Sequence, residues 1–257
     1  MIRAIFFDVD GTLLSHKTKE VPSSARRSLA LLKERQIKVF LSTGRHALEL
    51  DELPVQDLTF DGYITLNGQL CLDGDKNILS GTPFGPSVTQ ALVSMFDRRE
   101  LPVMLVEKDR IYINYVDETV RQAQLAVSTS VPPIGRYEGA PLYLATTILR
   151  REEEEAFRVR LPEGCKIERW SDDGVDIIHA ASGKVSGILA VQKALGLSVD
   201  EIMAFGDAEN DMDMLRYAGI GVAMGNAKGC VKEIADYVTA DIDADGIWEA
   251  LCHFKIL

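Results

Sequence analysis

Cysteine is scarce in this 257-residue chain: Cys71, Cys165, Cys230 and Cys252 are the only four, and none stands in a Cys-x-x-Cys spacing. That scatter excludes a disulfide framework and a cysteine zinc site, and the four read as small core residues of a reducing compartment. No apolar run approaches the roughly 18 residues of a membrane span. The opening Met-Ile-Arg-Ala lacks the layout of a signal peptide, so a cytoplasmic protein is expected. Basic residues are outnumbered, 28 Lys and Arg against 39 Asp and Glu, leaving a net charge of -11. Such an excess of acid argues against nucleic acid or an anionic membrane as partner, and an anionic substrate would need a local positive site. Neither a Gly-x-Ser-x-Gly elbow nor a Cys/His pairing nor a P-loop is present, and the four histidines show no metal-ligand spacing.

Length and apolar content are ample. At 46% hydrophobic residues the composition is that of a globular protein, and 257 residues suffice for one large or two unequal domains. The apolar run Ala4-Ile5-Phe6-Phe7 reads as a fully buried strand and leads straight into Asp8-Val9-Asp10-Gly11-Thr12. A helix follows from Val21-Pro22-Ser23-Ser24 to Arg35. The strand Ile37–Leu41 comes next and stops at Ser42-Thr43-Gly44-Arg45. After a helix from about His46 to Leu53, the strand Tyr63–Leu66 ends at Asn67-Gly68. Strands alternating with helices, each strand closing on polar residues, predict an α/β fold with a doubly wound, mostly parallel sheet. Ligands of such sheets gather at the carboxyl ends of the strands.

The rhythm breaks at Thr82-Pro83-Phe84-Gly85-Pro86. Residues 82–182 read as paired short strands with helices on one face, including a helix from Asp117 to about Ser128. That pattern predicts an inserted α+β domain. From Gly183 the α/β pattern returns, with a helix Lys184–Leu195, a strand into Gly206-Asp207-Ala208-Glu209-Asn210-Asp211, and further alternation to the end. The expected core is therefore discontinuous, 1–81 and 183–257, with 82–182 as a cap.

Four polar clusters would share one sheet rim: Asp8-x-Asp10, Thr43-Gly44-Arg45, Lys184, and Asp207-x-x-Asn210-Asp211. Carboxylates beside a lysine, a hydroxyl and an amide suit a phosphate ester held against Mg2+, with a carboxylate able to attack phosphorus. Each member also has a plainer reading. Thr43 could cap the next helix, Lys184 could be a solvated helix lysine, Asp211 a first-turn acid, and Arg45 the partner of a surface acid.

In order and spacing these clusters resemble the four motifs of the haloacid dehalogenase superfamily. The insertion after the third strand and Asn67-Gly68 resemble its Cof-type, class IIB hydrolases. The resemblance implies a Mg2+-dependent phosphatase acting on a small phosphorylated metabolite, a sugar phosphate or a compound of that kind, through an aspartyl-phosphate. It implies that Asp8 is the nucleophile, Asp10 the acid/base and Lys184 the lysine that neutralises phosphate and nucleophile. Thr43 corresponds to the phosphate-binding hydroxyl, and Gly44, Arg45, Asn67 and Asn210 to phosphate or substrate contacts. The metal would be held by Asp8, Asp207, Asp211 and the main-chain carbonyl of Asp10. Val185 departs from the glycine usual after the lysine and blurs only the local backbone. The inserted domain is implied to be a lid. A phosphomutase using the same intermediate, or a non-catalytic phosphate-binding module, remains open at this point.

Overall fold

The computed structural model describes residues 1–127, 129–170 and 173–257. It divides into two compact units, Met1–Ser80 with Gly183–Leu257, and Gly81–Ser182. Among the described residues no helix is long and apolar enough to cross a membrane.

The chain opens with strand β1 (Ala4–Phe7), helix α1 (Ser23–Glu34), strand β2 (Lys38–Ser42) and helix α2 (Ala47–Leu50). Strands β3 (Gly62–Thr65), β4 (Leu70–Asp73) and β5 (Ile78–Gly81) follow. The inserted unit contains α3 (Pro86–Arg98), β6 (Val103–Val106), β7 (Ile111–Ile113) and α4 (Glu118–Ala126). It continues through β8 (Leu144–Ile148), α5 (Glu154–Arg158), β9 (Cys165–Arg169) and β10 (Gly174–His179). The return segment holds α6 (Lys184–Leu195), β11 (Ile202–Gly206), α7 (Met212–Tyr217) and β12 (Ile220–Ala223). It ends with α8 (Gly229–Lys232), β13 (Tyr237–Val238) and α9 (Gly246–His253).

The first unit is built on an eight-stranded sheet in the order β13-β12-β11-β1-β2-β3-β4-β5. Strand β1 is central, paired in parallel with β11 on one side and β2 on the other. Its four residues are wholly buried. A parallel strand covered on both faces must be apolar throughout rather than alternating. Phe6 stacks on Phe40 at 5.0 Å and Phe7 on Phe205 at 4.8 Å, on opposite faces of the sheet. Each such side chain contributes about 1.5–3 kcal/mol by leaving water, so Asp8 and Asp10 follow a fully buried strand.

Several elements differ from the sequence reading. The segment after Asn67-Gly68 is not a plain exit to the inserted unit, because β4 turns back antiparallel on β3 and β5 extends the edge. The helix expected from about His46 to Leu53 shrinks to α2, whose single turn is held by a capping box: Leu48 donates to His46 Nδ1 and His46 N–H donates to Glu49. In the inserted unit, β7-β6-β8-β10-β9 form an antiparallel sheet whose helices are not all on one face. Val103, Leu105, Ala145, Val175 and Ile177 pack with Phe96 of α3 and Phe157 of α5. Met104 points the other way and packs with Val120 of α4. The predicted end of the α4 helix at Ser128 lies outside the described residues.

Candidate active site

Every residue singled out from the sequence lies in the first unit. Asp8 continues β1, its N–H donating to Phe205 O at 3.0 Å, so the strand pairing with β11 carries it to the sheet rim. The chain then turns sharply: Thr12, Leu13 and Leu14 all donate to Val9 O. Gly11 makes this turn at φ +86°, and a Cβ there would stand 2.3 Å from Asp207 Oδ2, so both backbone and space require glycine. The second acidic loop leaves β11, adjacent to β1, and brings Asp207 over Gly11. Thr12 Oγ1 donates to Asp207 Oδ1 at 3.0 Å and ties the two loops together.

Lys184 begins α6 and is fully buried. Its Nζ donates to Asp8 Oδ1 at 2.6 Å and to Asp211 Oδ1 at 2.5 Å. The other oxygen of Asp211 accepts from the N–H groups of Asp207 and Ala208 at 3.0 and 2.9 Å, so Asp211 also fixes the loop that presents Asp207. One oxygen from each of Asp8, Asp207 and Asp211 falls within 4.8 Å of the others. Fully ionised, three carboxylates against one ammonium leave a charge of two minus in a buried site. Burial, and Asp211 beside it, push the Asp8 carboxyl well above its ordinary value, with Lys184 offsetting only part. Burial and Asp211 likewise push Asp207 up to about 7. Burial acts to lower the proton affinity of Lys184, but Asp211 and Asp8 outweigh it and raise that affinity above its ordinary value. Oxygen donors converging with a deficit of two positive charges fit a hard divalent cation such as Mg2+.

Asp10 lies apart from that cluster. Both of its carboxylate oxygens are taken by Arg45, Nε to Oδ2 at 2.6 Å and Nη2 to Oδ1 at 2.7 Å. Burial would lower the guanidinium's affinity for its proton, and Asp10, with Glu49 and Asp8, more than compensates. The sequence reading gave Arg45 to phosphate or substrate, or to a surface acid; the structure sets it on a site acid 35 residues earlier.

Thr43 is buried at the end of β2, its N–H on Ile64 O and its hydroxyl accepting from the N–H of Arg45 at 3.1 Å. Asn67 donates its N–H to Thr43 O and adopts φ 51°, ψ 41°, a left-handed turn that asparagine tolerates. Its Oδ1 accepts from Asn210 Nδ2 at 3.4 Å and would stand 3.1 Å from a Cβ at Gly44. Thr43, Gly44, Asn67 and Asn210 thus form one wall. Gly68, at φ +85°, lets this wall approach the start of α6, since a Cβ there would lie 2.0 Å from Gly183 O. Ser186 donates to Gly68 O and Gly183 O, closing the contact from which Lys184 projects.

Two supporting residues escaped the sequence reading. Thr12 carries no signal of its own beside its acidic neighbours. Asn226 follows β12, donates to Gly11 O at 2.7 Å and accepts from the N–H of Ile242 at 3.0 Å, bracing the first acidic turn. Its position just beyond a strand's carboxyl end is the signal that could have found it.

A family model described as haloacid dehalogenase-like hydrolase matches residues 5–251. YkrA of Bacillus subtilis (strain 168), provisionally named a phosphatase, is 31% identical over 99% of this chain and 98% of its own length. The pyridoxal phosphate phosphatase YbhA of Escherichia coli (strain K12) is 30% identical over 95% of this chain and 96% of its own. A solved structure described as a HAD subclass IIB sugar phosphatase matches with a TM-score of 0.88 at 35% identity, covering 99% of this chain and 100% of that one.

Proposed function

Because this chain belongs to the haloacid dehalogenase-like hydrolase family and is a phosphoric monoester hydrolase, we propose that it cleaves a small phosphorylated metabolite through an aspartyl-phosphate on Asp8. The substrate class is a sugar phosphate or a similarly small ester, as the phosphatase names of its relatives suggest. In this reading the first unit is the catalytic core, and residues 82–182 form a cap inserted into it.

The observation that carries the reading is the meeting of Asp8, Asp207 and Asp211 around Lys184, drawn from three separate stretches of chain. Asp8, Asp207 and Asp211, with the Asp10 carbonyl, would hold Mg2+. Bound there, the ion supplies charge that lets an anionic nucleophile approach an anionic ester.

The chain's own groups then do the following. An Asp8 carboxylate oxygen bonds to phosphorus as the ester P–O bond breaks. Asp10, in its protonated form, gives a proton to the departing oxygen, releasing the alcohol and leaving Asp10 as a carboxylate. Lys184 draws charge from both Asp8 and the phosphoryl oxygens, while Thr43 Oγ1 and the Asn67–Asn210 wall orient the phosphoryl group. Asp10 next takes a proton from water as that water bonds to phosphorus, which frees Asp8 and inorganic phosphate. Phosphoryl transfer needs positioning and charge neutralisation more than other assistance, and this buried rim is built for both. Asp8→Asn should fold yet lose nearly all turnover. Retention of more than about a tenth of the normal rate would remove Asp8 from the role of nucleophile.

A further inference from the structure

The loop that follows β12 supplies none of the three converging carboxylates, yet it touches both loops that carry them. On one side its main chain holds the Asp207 loop: Met224 N–H donates to Gly206 O at 3.0 Å and Lys228 N–H to Asp207 O at 3.3 Å. On the other side Asn226 reaches the first acidic turn, its Nδ2 donating to Gly11 O at 2.7 Å. The amide is itself steadied, because its Oδ1 accepts from the N–H of Ile242 at 3.0 Å. The loop is anchored too: Gly225 donates to Ala240 O at 2.9 Å and accepts from Lys232 Nζ at 2.5 Å.

Gly11 is where the first acidic turn needs outside support. Its φ of +86° and the close approach of Asp207 require glycine, and glycine has the freest backbone of any residue. The two peptide planes that meet at Gly11 must therefore be held by other groups. The Asp10–Gly11 plane is held by Gly11 N–H on Leu14 O at 2.8 Å. The Gly11–Thr12 plane is held at its carbonyl by Asn226, while its N–H reaches Val9 O only at 3.3 Å. Thr12 Oγ1 also joins the two loops, but through the Asp207 carboxylate and not through the main chain. We infer that Asn226 is a positioning residue of the cation site: acting through Gly11, it fixes the Asp10 main-chain carbonyl relative to the Asp207 loop. The inference rests on the metal ligands proposed above. Groups that orient ligands without touching the ion commonly govern metal affinity by about 10–100-fold. A neutral amide suits the task, since it offers one donor and one acceptor to two main-chain segments without altering the charge of the site.

Mn2+ alone is the probe, added to full-length metal-free protein, with the free ion counted by its electron paramagnetic resonance signal. Asn226→Ala is expected to weaken the Mn2+ Kd by about tenfold. Asn226 is exposed, so its truncation empties no core, and the metal-free melting temperature should fall by no more than about 4 °C. In turnover of p-nitrophenyl phosphate, the Mg2+ concentration giving half the maximal rate should rise about tenfold, with kcat at saturating Mg2+ within about threefold of the parent. Asn226→Leu keeps the volume but lacks the donor, and it is expected to reproduce these changes where the alanine variant folds poorly. A Kd within about twofold of the parent in both variants would overturn the assignment. Unfolding of both variants without metal would do the same, because the tie would then serve the fold alone. If the parent protein bound no Mn2+, the metal-dependent reading itself would fall. If the parent bound it and the variants bound it equally well, only the role of Asn226 would fail.

Discussion

Within the first unit, buried Lys184 sits between Asp8, 176 residues away in sequence, and Asp211, 27 residues away, and a deficit of positive charge remains. In the inserted unit, buried Glu107 accepts from Tyr112 Oη at 2.8 Å, only five residues along a hairpin, and buried Asp176 accepts from Thr146 on the neighbouring strand at 2.7 Å. Asn114 is likewise satisfied within the unit, donating to Phe96 O and Leu101 O and accepting from the N–H of Val103. Burying charge costs free energy unless it is answered. Each of these buried polar groups of the inserted unit has its hydrogen-bond partner in place. The first unit gathers acids from distant segments and leaves them wanting a cation, which is expected of a site rather than of a scaffold.

The largest test of that contrast is Lys184→Ala. Removing the ammonium should lower turnover by about 10²–10³-fold, about 3–4 kcal/mol, as for loss of one charge-stabilising donor. It also leaves Asp8 and Asp211 facing each other in a buried space, so the melting temperature should fall without Mg2+. An unchanged rate would mean that the buried ion pairs of the two units are alike, both structural.

A second test uses the charge deficit directly. The Asp207 carboxyl is held near 7 in the fold against an ordinary 3.8. A raised folded value means that the native state binds the proton more tightly than the unfolded chain. That contribution to stability is complete below about pH 4 and is lost as pH rises through about 7. The metal-free protein should therefore pay for ionised Asp207 at pH 8, and a divalent cation should relieve it. Mg2+ at about 100 times its Kd adds about 2.7 kcal/mol. Thermal unfolding should show most of that gain at pH 8 and little at pH 5, where protons compete for the same oxygens. Equal shifts at both values, or none, would separate the acid cluster from any metal.

How much of this could be read in the sequence follows from the same contrast. Strand β1 and the acids after it were legible because a central parallel strand must be continuously apolar and the rim must be polar. Lys184 was legible as a polar residue opening a helix. The Arg45–Asp10 fork was not, because spacing along the chain does not say which of several acids a long side chain will reach. Asn226 and Thr12 escaped for a related reason: each acts on main chain or on another acid rather than on substrate. The β4 hairpin was missed because Leu70–Asp73 is short and follows a turn that looked like an exit. The burial of α4 against the opposite face of its sheet depends on the direction of Met104, which one residue of register decides.

The smallest effect on turnover belongs to the inserted unit, where Tyr112→Phe isolates one locally answered charge. Tyr112 is almost fully buried, its ring lies under Arg110 at 4.5 Å, and its hydroxyl serves Glu107. Phenylalanine keeps the packing with Phe96 and the contact under Arg110 but takes away the donor. Leaving the Glu107 carboxylate short of that hydrogen bond should cost about 1–3 kcal/mol of stability. Arg110, 3.6 Å away, is placed to offset part of the loss. Turnover of p-nitrophenyl phosphate should change by less than about twofold, because the general acid–base and charge-neutralising groups proposed above, the sources of larger losses, lie in the other unit. A drop comparable to that of Lys184→Ala would show that this buried acid is working for the reaction, and the distinction between the two units would have to be redrawn.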